Sequence, residues 1–321
     1  MSGATPLGYL SSAGSRAATI VPLTWYVLIV SILVCVIIGA LVWIGVRRSH
    51  SSGGAAETSA AAVARNGNGI RWIWIGVVLT AIPLAIALVW TVGALASVAG
   101  SPRRPDLLLD VTAHQWWWEV KYHGDTPSDT FATANEIHIP VGRKVLVRLH
   151  GGDVIHSFWV PKLTGKTDAI PGQENATWLE AAGPGIYRGQ CTEYCGLEHA
   201  KMGFEVIAQP AAAFERWRTA QLQTAPPPAT PAQARGLALV QFRCGMCHAV
   251  RGTTAASHYG PDLTHLMSRR KIAAATLPNN PGALSGWIQN PQATKPGALM
   301  PDQHLSGQQL ADLRAYLETL K

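Results

Sequence analysis

Cys191-Thr-Glu-Tyr-Cys195-Gly-Leu-Glu-His199-Ala-Lys-Met202 gathers two thiols, an imidazole and a thioether in one short stretch. Cys, His and Met together form the soft ligand set that suits copper, and two thiolates can bridge a pair of copper ions. A disulfide between Cys191 and Cys195 is the plain competing reading, but it needs neither His199 nor Met202 at fixed spacing. Zinc is a second competitor, and a thioether is a poor zinc ligand, so Met202 argues against it. Around this stretch, from Asp106 to Gln209, the chain breaks into short runs bounded by Gly and Pro. Residues 107–111, 136–140, 144–149, 177–180 and 204–207 read as strands of a small antiparallel sandwich. Residues 211 to 222 then read as a helix, with Phe214, Trp217 and Leu222 on one face.

Upstream, the pattern belongs to a membrane. Leu23 to Val46 carries no charged residue, which is long enough to cross about 30 Å of hydrocarbon as a helix. It is too long for the apolar core of a cleaved signal peptide, and no clean small-x-small site follows it. Trp72 to Ala99 is a second uncharged run, with Pro83 inside it, where a membrane helix tolerates a kink. Between them, residues 47 to 71 form a Ser/Gly/Ala-rich loop with Arg47, Arg48, Arg65 and Arg71 against one acid, Glu57. Arginine excess in a short loop places it in the cytoplasm and sends both ends of the hairpin outward. Arg103 and Arg104, directly after the second run, pull weakly the other way. Residues 1 to 22 are small, polar and expected to be loosely ordered.

Downstream, Thr224 to Pro231 is a proline-rich linker, semi-rigid and extended. Residues 232 to 321 follow as a compact helical piece. Its signature is Cys244-Gly-Met-Cys247-His248, the C-x-x-C-H sequence of covalent c-type haem attachment. The two thiols add to the haem vinyl groups and His248 supplies one axial iron ligand. The domain expectation is therefore an N-terminal segment (1–22), a helix hairpin (23–99, with spans at about 23–46 and 72–99), a β-domain (106–222), a linker (223–231) and a haem domain (232–321).

At 321 residues the chain has room for two ordinary domains beyond the spans, and its 48% hydrophobic content agrees with membrane segments. Four of five cysteines fall in two close pairs, and Cys35 sits alone in the first apolar run. Close pairs with a nearby His suggest cofactor attachment, not a disulfide scaffold. The net charge of +7 is spread along the chain without a basic run interleaved with aromatics. That pattern gives no nucleic-acid signal.

C-x-E-x-C-G-x-x-H-x-x-M resembles the binuclear copper (CuA) loop of cytochrome c oxidase subunit II. Asp153-Val-Ile-His156-Ser-Phe-Trp-Val-Pro161, Lys166-Thr-Asp-Ala-Ile-Pro-Gly172 and Gln115-Trp116-Trp117-Trp118 match other segments of that family. The resemblance covers roughly residues 20 to 210. Residues 232 to 321 resemble a class I cytochrome c, through C-x-x-C-H, Gly260-Pro-Asp-Leu263, Lys295-Pro-Gly-Ala-Leu-Met300-Pro301 and a closing helix near Gln308–Leu320.

The resemblance implies a membrane-anchored multidomain chain: a two-helix transmembrane hairpin, a cupredoxin-like β-sandwich, then an all-α cytochrome c domain. It implies copper ligation by His156, Cys191, Cys195, His199 and Met202 through side chains and by Glu193 through its backbone carbonyl. The Glu193 carboxylate would face a magnesium site shared with the large subunit. Trp116 would receive electrons near the copper. Met300 is the expected distal haem ligand, because Met246 lies inside the attachment turn and an isolated Met such as Met267 more often packs in a core. Three tryptophans in succession cannot share one face of a strand, so two of them read as packing. His114, His123, His138 and His150 lack ligand spacing and read as structural or surface residues.

The implied function is electron input to a haem–copper terminal oxidase of the caa type. Its partners would be the large subunit, subunit III, membrane lipid and a donor such as a cytochrome bc complex or a cytochrome c. Its place would be the bacterial inner membrane, with copper and haem domains on the periplasmic side. A CuA-bearing nitric oxide reductase subunit would use the same ligands, and a membrane-tethered redox sensor is the non-catalytic alternative. Nitrous oxide reductase lacks these spans, and quinol oxidase subunits lack the copper ligands. One departure stands out. The family carries a Glu near the start of its second span, at the mouth of a proton path, whereas Gly69-Ile-Arg-Trp-Ile-Trp-Ile-Gly-Val77 has no acid.

Overall fold

The computed structural model describes residues 7–51, 69–100, 102 and 104–321. Glu57 and Arg65 of the arginine-rich loop, and Arg103 beyond it, lie outside the described residues. Ala18–Gly100 forms one compact unit, and the residues before and after it form the other.

The first unit is a helix pair, α1 (Ser15–Ser51) and α2 (Gly69–Val98). Both are long and apolar enough to cross a membrane, and their apolar side chains face outward nearly all round. That is how a helix reads when its solvent is hydrocarbon. The Tyr26 hydroxyl donates to the Pro83 carbonyl at 3.0 Å, and the Tyr26 ring lies 5.7 Å from Trp90, so the helices meet through a polar tie and an aromatic pair. α1 runs past the uncharged stretch at both ends. At its C-terminal side Arg47 lays its guanidinium over Trp43, 3.9 Å from the ring centroid.

The N-terminal segment corrects the expectation of loose order, as far as residues 7–22 are described. The Ala13 amide donates to the Lys162 carbonyl and the Ala13 carbonyl accepts from Ala182. Arg16 donates to the Thr177 hydroxyl at 2.6 Å, and Ala17 is buried. Gly14 is required there, because a Cβ would sit 2.2 Å from the Glu180 carbonyl oxygen.

The second unit begins with ten strands in two sheets. They are β1 (Leu107–His114), β2 (Trp117–Tyr122), β3 (Phe131–Ala134), β4 (Glu136–Pro140), β5 (Val145–Gly151), β6 (His156–Trp159), β7 (Thr167–Ala169), β8 (Asn175–Leu179), β9 (Gly185–Cys191) and β10 (Gly203–Gln209). One sheet has the order β3-β2-β1-β5-β8 and the other β4-β10-β9-β6-β7. The expected antiparallel sandwich is in fact mixed, since β1 pairs parallel with β5 and β4 parallel with β10. Parallel neighbours need long connections, and here the chain leaves one sheet for the other between them. Alternating burial on β1, β5 and β9 points one face of each strand inward. Leu109, Val111, Trp118, Tyr122, Val147, Phe158, Leu179, Met202 and Phe204 fill the space between the sheets. Helix α3 (Ala211–Gln221) closes one end, with Phe214 buried and Trp217 stacked on His138 at 4.0 Å.

The C-terminal region is helical: α4 (Pro231–Phe242), α5 (Pro281–Gln289), α6 (Pro291–Thr294) and α7 (Gly307–Leu317). A two-stranded ribbon, β11 (Lys271–Ile272) with β12 (Leu277–Pro278), adds to the expected all-α domain. Thr230 caps α4 by accepting from Gln233, with Pro231 in the first turn. Ser306 and Gln309 form a reciprocal capping box on α7. The two helices cross closely at Gly236, where a Cβ would lie 2.1 Å from the Asp312 carbonyl oxygen. Arg235 grips the Asp312 carboxylate with two bonds of 2.8 and 2.9 Å beside that crossing. The proline-rich linker is not wholly detached, since the Ala225 amide donates to the Arg251 carbonyl.

Candidate functional site

The copper loop hangs between β9 and β10, and the sandwich fixes both of its ends. Cys191 is the last residue of β9, its amide donating to the Met202 carbonyl at 3.0 Å, so the loop closes on itself where β10 begins. β9 reaches that point only because Gly189 leaves room for the Phe204 ring, which a Cβ would meet at 2.2 Å. His156 begins β6, next to β9 in the same sheet, which brings it under the loop.

All six expected ligand groups converge. Cys191 Sγ lies 3.8 Å from Cys195 Sγ, 3.9 Å from His156 Nδ1 and 3.3 Å from the Glu193 carbonyl oxygen. Cys195 Sγ lies 3.4 Å from His199 Nδ1 and 3.8 Å from Met202 Sδ. A sulfur separation of 3.8 Å is far beyond a disulfide bond, and both thiols are free. His156, Cys191 and Cys195 are buried, with ligand atoms all within 4.8 Å of one another. Two sulfurs flanked on each side by one imidazole, with a thioether and a carbonyl at the margins, is a donor set that fits a thiolate-bridged copper pair.

The electrostatics prepare the loop for a cation. Contact with Cys195 lowers the Cys191 thiol pKa, helped by His156 against the opposing effect of burial. The same contact, with burial, holds the Cys195 thiol up. Burial disfavours a charged His156, yet Cys191 and Asp153 outweigh it and raise its pKa. Asp153 is the residue that sequence reasoning passed over. It stands three positions before His156, and its Oδ1 meets His156 Nε2 at 2.7 Å while Oδ2 accepts from the Gln115 amide at 2.6 Å. Holding Nε2–H leaves Nδ1 free to face the sulfurs, the usual way a carboxylate sets the tautomer of a metal-binding histidine.

The tryptophan triplet divides three ways. Trp118 is fully buried, edge-on to His156 and Phe158 and against Phe204. Trp117 stacks on His114 at 4.7 Å. Trp116 lies outside β2, and its indole N–H donates to the Cys195 carbonyl at 2.9 Å, alongside the Gln115 side chain at 2.7 Å. Glu193 sends its carboxylate to Lys166 at 2.9 Å. Of the histidines read as structural, His138 is buried between Glu136 and Gln209, and His123 pairs with Asp110.

In the C-terminal region Cys244, Cys247 and His248 occupy a single turn after α4. His248 Nδ1 donates to the Pro261 carbonyl at 2.7 Å, which leaves Nε2 for a metal. Burial lowers the His248 pKa, favouring the neutral ligand form, and raises the Cys244 thiol to about 11. Gly260 abuts this ring so closely that a Cβ would lie 2.7 Å from His248 Cε1. These features fit covalent haem. The 300–303 segment is tied back to the same turn, since Arg243 donates to the Gln303 carbonyl at 2.9 Å and Gln292 to the Met300 carbonyl at 3.2 Å. Met267 instead packs against the core of this region, and Met246 is exposed.

A soft-metal loop on a β-sandwich, a haem-attachment turn in the same chain and two membrane-length helices define a membrane-anchored redox subunit with a copper domain and a cytochrome c domain. Residues 124–209 match the family model for the periplasmic domain of cytochrome c oxidase subunit II, and residues 233–321 match that for cytochrome c. Cytochrome c oxidase subunit 2 of Alkalihalophilus pseudofirmus is 37% identical over 256 residues, covering 78% of this chain and 72% of that protein. The subunit 2 of Bacillus sp. strain PS3 is 33% identical over 270 residues, covering 78% and 74%. Among solved structures, the periplasmic domain of cytochrome oxidase subunit II of Bradyrhizobium japonicum is 32% identical, with a TM-score of 0.36, covering 38% of this chain and 96% of that one. The chain belongs to the cytochrome c oxidase subunit 2 family, and it is thus a subunit of an oxidoreductase.

Proposed function

We propose that this chain is the electron-input subunit of a haem–copper terminal oxidase, accepting electrons at a c-type haem and delivering them through a binuclear copper centre to a large subunit that reduces oxygen. The observation that carries the reading is the convergence of six ligand groups on two unbonded sulfurs, in a chain that also presents C-x-x-C-H. When bound, the copper pair and the haem each supply a one-electron redox site. The residues do the rest. Cys191, Cys195, His156, His199, Met202 and the Glu193 carbonyl would hold the copper, and the two-sheet scaffold that carries them would limit rearrangement between oxidation states. Cys244 and Cys247 would anchor the haem and His248 and Met300 would ligate its iron, a pairing that raises haem potential and suits a late respiratory step.

The Glu193 carboxylate, at the loop surface beside Lys166, is the group available to a magnesium ion at the large-subunit boundary. The arginines flanking the helix pair support an inner-membrane hairpin with both folded domains outside. Subunit III and a cytochrome bc complex or cytochrome c donor complete the proposed assembly. The second helix has no acid in its first turn, so a proton path that starts from a glutamate there is not proposed.

The deciding experiment measures oxygen uptake by the purified membrane complex with an artificial donor, comparing the native chain with Cys195→Ser. Uptake that disappears together with copper in the variant supports the oxidase. Nitric oxide consumption without oxygen uptake moves the assignment to a reductase, and turnover of neither gas with both cofactors bound leaves a redox sensor.

A further inference from the structure

The C-terminal region touches the copper loop through a lysine that nothing in the mechanism above uses. Lys295, at the end of α6, is 3% exposed, yet no carboxylate lies within ion-pair distance of it among the described residues. Its ammonium donates instead to two backbone carbonyls of the copper domain, Trp116 O at 2.7 Å and Lys201 O at 3.1 Å. Lys201 returns the contact by donating to the Thr294 carbonyl at 2.6 Å. Lys295 thus holds the Lys201 backbone while Lys201 holds that of Thr294, the residue before Lys295, across the domain boundary. Both anchor points matter chemically: Trp116 also donates to the Cys195 carbonyl, and Lys201 directly precedes Met202.

The clasp is not isolated. Gly297, two residues on, lies against Leu197 and the Trp116 ring, where a Cβ would meet them at 3.0 and 3.7 Å. A second contact sits on the neighbouring sheet edge. There the Arg270 amide donates to Glu136, Arg270 and Lys271 pair with Glu205, and the Gly203 amide donates to the Ala274 carbonyl. Ala273, Ala274 and Ala275 all hold left-handed backbone at φ 52°, 54° and 59°. Three consecutive non-glycine residues in that region are disfavoured, and the run presents a carbonyl to β10 that an ordinary turn would aim elsewhere.

We infer that Lys295 is a positioning residue, a latch that docks the haem-bearing domain on the copper loop and seats Gly297 beside Trp116. The latch rests on the electron-input reading only in its purpose, and its geometry stands without it. Burying a lysine is costly unless its donors are met, and the two carbonyls that meet two of its three N–H groups both belong to the copper domain, within reach only when the domains are docked. The transfer it serves moves one electron, oxidising the haem iron and reducing the copper pair, and makes or breaks no bond. A fixed seat keeps that path short, where a free linker would offer only a high local concentration.

The test uses the full-length chain in detergent, native against Lys295→Met and Lys295→Arg, by amide hydrogen exchange. In Lys295→Met the Gly203 and Arg270 amides are expected to exchange roughly ten- to a hundred-fold faster, the effect of losing a charged donor to two acceptors. The Leu109 and Val147 amides should not change, and Lys295→Arg should restore part of the protection. Haem-to-copper transfer in the loaded Lys295→Met complex should slow by the factor by which the docked fraction falls, with the copper electron-spin spectrum unchanged. Native-like exchange at Gly203 and Arg270 in Lys295→Met overturns the latch. A variant that is mostly undocked by exchange yet shows undiminished transfer overturns its positioning role. A native chain that binds neither metal nor haem, yet loses Gly203 protection on Lys295→Met, supports the latch and overturns the electron-input reading.

Discussion

Replacing Asp153 tests how the sandwich prepares His156 for copper. The carboxylate takes the His156 Nε2 proton at 2.7 Å and is itself fixed by the Gln115 and Val154 amides at 2.6 and 2.7 Å. His156 is fully buried behind Asp153, whose own carboxylate is 30% exposed, so a water that enters on truncation can meet the N–H but brings no charge and no fixed orientation. Without Asp153 the imidazole loses the group that selects the tautomer with Nδ1 facing Cys191, and it loses the negative charge that makes it a better donor. Partners of this kind are worth about 10- to 100-fold in metal affinity, or about 1.4 to 2.7 kcal/mol at 25 °C. Asp153→Asn keeps an acceptor oxygen and discards the charge, so it belongs near ten-fold. Asp153→Ala discards both the charge and the fixed acceptor, so it belongs nearer a hundred-fold. Copper affinity of the full-length chain, measured by competition with a chelator and followed by the thiolate–copper absorption, gives the answer directly. Affinity within about three-fold of native in Asp153→Ala would refute the argument that this carboxylate orients His156.

Three further outcomes follow from packing and charge. Trp118→Ala empties a fully buried site against His156, Phe158 and Phe204, and should cost about 3–5 kcal/mol in the β-domain by chemical denaturation. Gly236→Ala forces a Cβ to within 2.1 Å of the Asp312 backbone oxygen, so α4 and α7 must separate; the C-terminal transition should fall by about 1–3 kcal/mol while the β-domain transition holds. Asp110 is paired with Arg148 and His123; burial pushes its pKa up, but the two cations prevail and hold it below its ordinary 3.8. The stability it contributes is complete above that ordinary value and is lost as pH falls through the lower folded value. The melting temperature should therefore fall more steeply below about pH 4 in the native chain than in Asp110→Asn.

The side chains that converge on the loop were legible because their soft-metal chemistry is written at fixed local spacing. Cys191, Cys195, His199 and Met202 lie on one loop, and the Cys-rich turn before His248 is read the same way. Strand content was only partly legible. β3, β6 and β7 run for three or four residues, too short for alternation to register. β9 hides behind Gly185 and Gly189, the second of which exists to admit Phe204. The parallel pairs β1–β5 and β4–β10 leave no mark in the sequence, because pairing between distant segments has no local pattern. The helix boundary at Ser15 was missed for a related reason. A short polar run before an apolar one looks like a tail, and only the partners at Lys162, Thr177 and Ala182 make it structure.

Lys295 shows where local reading stops and why. In the sequence it belongs to Lys295-Pro-Gly-Ala-Leu-Met300, a segment whose interest is its methionine, and a lysine before a proline reads as a solvated charge. In the folded chain it is buried, and burial lowers its pKa to about 8, with Glu198 pulling up and Lys201 pushing down. An isolated lysine pays nothing to stay in water, so its burial has to be explained by what it holds. What it holds are the carbonyls of Trp116 and Lys201, the first residue bonded to the Cys195 carbonyl and the second directly before Met202. The ligand set specifies which metal can bind. The lysine that holds the backbone around that set is recognisable only once the partner domain is in place.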